Sequence, residues 1–158
     1  MSYTITCIGS GNMGGALMKA AARVVGGAAI GVTDADRTKA QAFASELGGG
    51  ALATNTVAAA EGRFVLLAVK PQVARTVLVE IAPVLAQRLK DGKPAVLVSI
   101  VAGLSIEVMK KHLADGGCTG KQPIIRLMPN TPALVAKGMI ALAPSPEVSS
   151  DAVQELKQ

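Results

Sequence analysis

"IGSGNMGGA", residues 8–16, stands between a β-branched run, "YTITCI" (3–8), and "NMGGALMKAAARVV" (12–25), whose apolar residues recur at helical spacing. Gly9, Gly11 and Gly14 fit the pattern G-x-G-x-x-G. Alone the pattern is weak, because glycines also gather in ordinary turns. Its setting gives it force: a strand runs in, a helix runs out, and a second strand, "AIGVTD" (29–34), follows. Gly9 permits the tight turn, Gly11 lets the backbone approach a pyrophosphate, and Gly14 lets the helix close on the sheet. The anion would rest on unpaired amides at the positive end of the helix dipole. The G-K-[S/T] ending of a phosphoryl-transfer loop is absent.

The alternation continues outward from this unit. "TKAQAFASEL" (38–47) reads as a helix with Thr38 as its N-cap and Gly48 as its stop. "GALAT" (50–54) reads as a short strand and "VAAAEG" (57–62) as a brief helical turn. "FVLLAV" (64–69) is a continuous apolar run, as a strand covered on both faces requires. "VARTVLVEIAPVLAQRL" (73–89) reads as a helix interrupted or bent at Pro83. "AVLVSIV" (95–101), "PIIRL" (123–127) and "GMIALA" (138–143) are further strands, and "SIEVMKKHLA" (105–114) is a helix capped by Ser105. The expected class is α/β: a Rossmann-type, doubly wound, mostly parallel sheet with helices on both faces, over residues 1–148. "SSDAVQELKQ" (149–158) opens like a helix behind Ser149 or Ser150. It is either a short terminal helix or the start of a connection into a further domain outside this sequence.

Composition narrows the function. The 158 residues suffice for one domain with a core, and with aromatics at only 2% that core must be aliphatic. No apolar run approaches the ~20 residues of a membrane span, and the N-terminus lacks a secretory pattern. Cys7 falls in a strand pattern and Cys118 in a Gly-rich turn, giving neither a disulfide framework nor a metal site, so a cytoplasmic protein is expected. The net charge of +5 is scattered and lacks aromatics for base stacking, which argues against nucleic acid. His112, the only histidine, reads as a solvated helix residue.

Asp34 closes the second strand, where an acid accepts hydrogen bonds from the adenosine ribose and disfavours a 2′-phosphate. Arg37 would soften that preference by pairing with a phosphate. The lesser alternative for Asp34 is a turn residue or cap within "TDADR". A methyltransferase uses a similar loop and acid, so these residues do not name a reaction. "AVKPQ" (68–72), "SIVAG" (99–103) and "LMPNTPAL" (127–134) lie at further strand exits, where ligands of open α/β sheets bind. In the last, Pro129 and Pro132 fix the backbone of a rigid loop.

Together "IGSGNMG", "AVKPQ", "VSIVAGLS" and "RLMPNTPALVAKGM" resemble pyrroline-5-carboxylate reductases across essentially the whole chain. The resemblance implies hydride transfer from NADPH or NADH to a small imine, 1-pyrroline-5-carboxylate, giving L-proline. It places Ser10, Asn12 and Met13 on the pyrophosphate and Asn55 near the adenosine. Ala68, Val69, Lys70 and Pro71 would run along the cofactor, Ala102 and Gly103 would border the nicotinamide, and Met128, Pro129, Asn130, Thr131 and Pro132 would wall the imine pocket. Lys70 reads otherwise as a surface ion-pair partner and Asn130 as a local turn cap. The family continues into a helical domain that supplies dimerisation, much of the substrate carboxylate pocket and a proton donor, so no catalytic acid is assigned within residues 1–158. The alternatives are a non-catalytic nucleotide-binding module and another two-domain reductase acting on a hydroxy acid or a different imine.

Overall fold

The strands are β1 (Tyr3–Ile8), β2 (Ile30–Thr33), β3 (Gly50–Ala51), β4 (Gly62–Leu67), β5 (Val96–Ser99), β6 (Ile124–Pro129) and β7 (Ile140–Pro144). The helices are α1 (Asn12–Val25), α2 (Arg37–Leu47), α3 (Asn55–Glu61), α4 (Pro71–Lys90), α5 (Ile106–Asp115) and α6 (Ser150–Leu156). These come from a computed structural model, which describes residues 2–129 and 140–158. The strands form one sheet in the order β3-β2-β1-β4-β5-β6-β7. Every neighbouring pair is parallel except β6 and β7, which run antiparallel from Ile125↔Pro144 to Pro129↔Ile140. The expected doubly wound, mostly parallel sheet is borne out.

Successive residues of a strand face opposite sides, and here both sides are dry. On β4, Phe64 and Leu66 join one apolar layer with Met18 of α1 and Ala152 of α6. Val65 and Leu67 join the other with Ala58 of α3, Leu78 and Ile81 of α4 and Met109 of α5. This is why "FVLLAV" carries no polar residue.

Several local expectations change. Helix α2 begins behind Asp36 rather than Thr38: the Asp36 carboxylate accepts the Lys39 N–H at 3.2 Å, so Thr38 falls within the first turn. Thr54 Oγ1 accepts the Val57 N–H at 3.1 Å, so α3 starts earlier than its alanine run indicated. Helix α4 runs through Pro83 without interruption. Pro83 is exposed, while Ala74, Val77, Leu78, Ile81, Ala82 and Leu85 form a buried stripe on both sides of it. Burial of that stripe outweighs the ~3 kcal/mol local penalty of an internal proline. Strand β3 is only two residues long. Ser149, of the two serines considered, caps α6 by accepting the Ala152 N–H at 3.1 Å. Arg63 of β4 ties that helix down through Glu155 at 2.7 Å.

Candidate dinucleotide-binding site

The chain order reverses between β1 and β4, and their carboxyl ends open a crevice, as such reversals do. Gly9 turns out of β1 at φ +98°, a left-handed conformation suited to glycine, with its N–H on the Thr33 carbonyl at 2.9 Å. A Cβ on Gly9 would run into the Ala68 carbonyl. Gly14, in the first turn of α1, lies so close to Ala68 that a Cβ there would be 2.7 Å from the alanine methyl. Ala68 N–H bonds the Ile8 carbonyl at 2.9 Å, so loop, helix and strand exit form one packed unit.

Gly11 differs: a Cβ there would meet nothing within 4 Å. It is the N-cap of α1 and offers no side-chain acceptor, and the first turn holds no acid. The N-termini of α2, α3, α5 and α6 are satisfied by Asp36, Thr54, Ser105 and Ser149. The first amides of α1, from Asn12 and Met13 onward, have no side-chain partner among the described residues and lie beneath the open space at Gly11. Their donors and dipole suit a diphosphate, which is the fit a dinucleotide requires.

Asp34 lies beside this loop and is held by it. Its Oδ2 accepts both the Ser10 N–H (2.8 Å) and the Ser10 hydroxyl (2.7 Å), and its Oδ1 accepts the Asp36 N–H (2.9 Å). Partial burial pushes the Asp34 carboxyl upward, but the bonds from Ser10 and Asp36, with Lys39 nearby, outweigh it and hold the group below the ordinary carboxylate value. Arg37 is exposed and borders a small cleft of about 80 Å³ with Ala40, Gln41, Ala51, Leu52 and Ala53. Asn55 begins α3, and its side-chain amide donates to Glu80 of α4 at 2.9 Å.

Val69 reaches within 3.4 Å of where a Gly9 Cβ would lie. Lys70 is exposed and caps α4 through its backbone alone, with Pro71 at the first helical position. Ala102 and Gly103 are exposed beyond β5, Gly103 at φ +72°. Met128 is 54% exposed at the end of β6, which closes with Pro129. Asn130, Thr131 and Pro132 lie outside the described residues. His112 is half-buried, not solvated, because α5 packs on the sheet; its Nδ1 is buried without a hydrogen-bond partner among the described residues.

A hollow of about 540 Å³ lies elsewhere. It is an apolar groove under α1 and the end of α6, lined by Leu17, Val24, Phe64, Leu66, Leu142 and Leu156 among others, and touches none of the crevice residues. Val24 and Val25 are exposed at 55% and 37%, a feature visible in sequence as an apolar end to α1. Among the described residues no cluster could hold a metal ion, and no helix is long and apolar enough to cross a membrane.

Residues 4–103 match the family model described as "NADP oxidoreductase coenzyme F420-dependent". The chain belongs to that family. Within this NADP oxidoreductase family, it is 33% identical to the pyrroline-5-carboxylate reductase of Corynebacterium melassecola over 155 residues, 98% of this chain and 54% of the relative. It is 31% identical to that of Pseudomonas aeruginosa over 156 residues, again 98% of this chain and 53% of the relative. The structure of a pyrroline-5-carboxylate reductase from Coxiella burnetii superimposes with a TM-score of 0.82 at 27% identity, covering 98% of this chain and 54% of that one. The Plasmodium falciparum pyrroline carboxylate reductase, solved with NADP bound, shares the fold at a TM-score of 0.77 and 24% identity, over 98% of this chain and 52% of that one. The resemblance to pyrroline-5-carboxylate reductases is thus borne out along nearly the whole sequence. The chain spans about half the length of the curated relatives it matches.

Proposed function

We propose that this NADP oxidoreductase family member is the cofactor-binding part of a pyrroline-5-carboxylate reductase, reducing 1-pyrroline-5-carboxylate to L-proline with NADPH or NADH. The likeness to pyrroline-5-carboxylate reductases over 98% of the chain carries this reading. The uncapped start of α1 and the open space over Gly11 support it physically.

In this reading the α1 amides hold the diphosphate, and Arg37 stands at the adenosine end. Ala102 and Gly103 present bare backbone to a flat ring, and Met128 to Pro132 wall the imine. The nicotinamide, when bound, supplies the hydride. This chain contributes position: it binds the diphosphate and holds the ring against the wall, so that the reacting atoms meet in one orientation. In this reading no residue of this chain is assigned as the proton donor to the imine. His112 lies in the last turn of α5, at the opposite end from the strand exits. The proton donor, the carboxylate pocket and homo-oligomer contacts belong to a helical domain into which residues 149–158 lead. The substrate is a small imine and the setting cytoplasmic.

The test compares 1-pyrroline-5-carboxylate with small hydroxy acids in an NADPH-oxidation assay, using this chain alone and the protein extended through the helical domain. The extended protein is expected to reduce the imine, whereas the 158-residue chain binds NADPH with little or no turnover. Oxidoreduction of hydroxy acids alone would overturn the substrate assignment. Robust steady-state reduction by the shorter chain would overturn the division of labour.

A further inference from the structure

Asp34 occupies the position where an acid ordinarily grips the adenosine ribose, yet its bonds run to the protein. A carboxylate offers about four acceptor positions. Three are taken: two on Oδ2 by the Ser10 amide and hydroxyl at 2.8 and 2.7 Å, one on Oδ1 by the Asp36 amide at 2.9 Å. A paired grip on a vicinal diol needs two acceptors, and one remains. The same bonds fix the glycine loop. Gly9 N–H is committed to the Thr33 carbonyl and Ser10 N–H to Asp34, so the loop turns outward only after Ser10 and delivers Gly11 uncovered above the α1 amides.

We infer that Asp34 is a positioning residue that shapes the glycine loop through Ser10, and is not the ligand of the adenosine ribose hydroxyls. The inference rests on the dinucleotide-binding reading above and refines it. Cofactor affinity then depends on the Ser10–Asp34 clasp whether or not the ligand carries a 2′-hydroxyl.

Titrations of wild type, Ser10→Ala, Asp34→Ala and the double variant with ADP and 2′-deoxy-ADP separate the roles, with thermal melts confirming that each variant is folded. Asp34→Ala is expected to weaken both nucleotides by the same factor, tenfold or more. Adding Ser10→Ala to it should change nothing further, because the two residues act as one unit. Asp34→Asn, which keeps one acceptor oxygen and disturbs folding least, should weaken both nucleotides equally and by less. A loss confined to ADP, with 2′-deoxy-ADP unaffected in either Asp34 variant, would make Asp34 a ribose ligand and overturn the inference. Independent, additive losses from Ser10→Ala and Asp34→Ala would overturn it as well. Wild-type protein that binds neither ADP nor NADPH would instead remove the dinucleotide reading itself.

Discussion

Gly14 and Ala68 approach so closely that one additional methyl group would lie 2.7 Å from the one already there. Alanine is the better helix former by about 1 kcal/mol, but overpacking against a methyl that cannot rotate away costs roughly 1–3 kcal/mol. Packing should win: Gly14→Ala lowers the thermal midpoint by a few degrees. Ala68→Gly in the same molecule vacates the space, so the double variant should recover most of the loss. A double variant less stable than Gly14→Ala alone would show that the contact is not the cause.

Gly11→Val should behave in the opposite way. Its backbone, φ −71° and ψ −178°, suits any residue, and a Cβ meets nothing within 4 Å. The melting temperature should hardly move, whereas NADPH affinity should fall at least tenfold as the side chain fills the space over the α1 amides. Unchanged titration affinity would count decisively against placing the diphosphate there.

Arg88 is a structural cation. Its Nη1 donates to the carbonyls of Ala59 (2.8 Å) and Gly62 (2.6 Å), and its Nε to that of Lys93 (3.1 Å), at 8% exposure. Arg88→Ala leaves three carbonyls without their donor and a void, at a cost of about 3 kcal/mol in denaturant unfolding. Arg88→Lys should recover only part, since a single ammonium cannot reproduce the fork. A loss below ~1 kcal/mol would mean that water replaces the guanidinium.

Acid should loosen the attachment of the β7–α6 connection. The Lys110 ammonium, 2.7 Å from Glu147 Oε1, and the neighbouring Ser145 hydroxyl pull the Glu147 carboxyl down from 4.5 to about 2. A depressed carboxyl stabilises the fold fully above its unfolded value, and the contribution disappears as pH falls from about 4.5 toward 2. Asp34 adds to the same slope. Glu147→Gln should therefore be less stable than wild type near neutrality, with the difference closing as pH falls. A constant gap at all pH values would show that the ion pair does not titrate.

The sequence carried the architecture because its strongest signals, uninterrupted apolar runs and the glycine loop, are also the features that bury most surface. Where it misled, a tertiary contact decided. Pro83 looked like an interruption, but the stripe from Ala74 to Leu85 holds the helix together across it. Thr38 looked like a cap until Asp36 supplied the acceptor two residues earlier. "GALAT" promised a longer strand, but only Gly31 and Val32 of β2 face it, with the Tyr3 ring filling the space beside Gly50. In the candidate site, the spacing of Gly9, Gly11 and Gly14 led directly to the crevice. The partner of Asp34 was hidden, since nothing in the spacing of Ser10 and Asp34 announces a contact across 24 positions. Asn55 likewise turns to Glu80, a neighbour that only the packing of α3 on α4 creates.

Cys7 lies directly beneath the glycine turn, fully buried, its thiol hydrogen-bonded to the Gly9 carbonyl at 3.0 Å. Burial, reinforced by the charge of Asp34, pushes that thiol up to about 12, so it stays protonated and inert while the turn is closed. The rate at which a thiol reagent captures Cys7 therefore reports how often this sulfur becomes exposed, and an occupant that clamps the turn from above should slow that capture without ever touching sulfur.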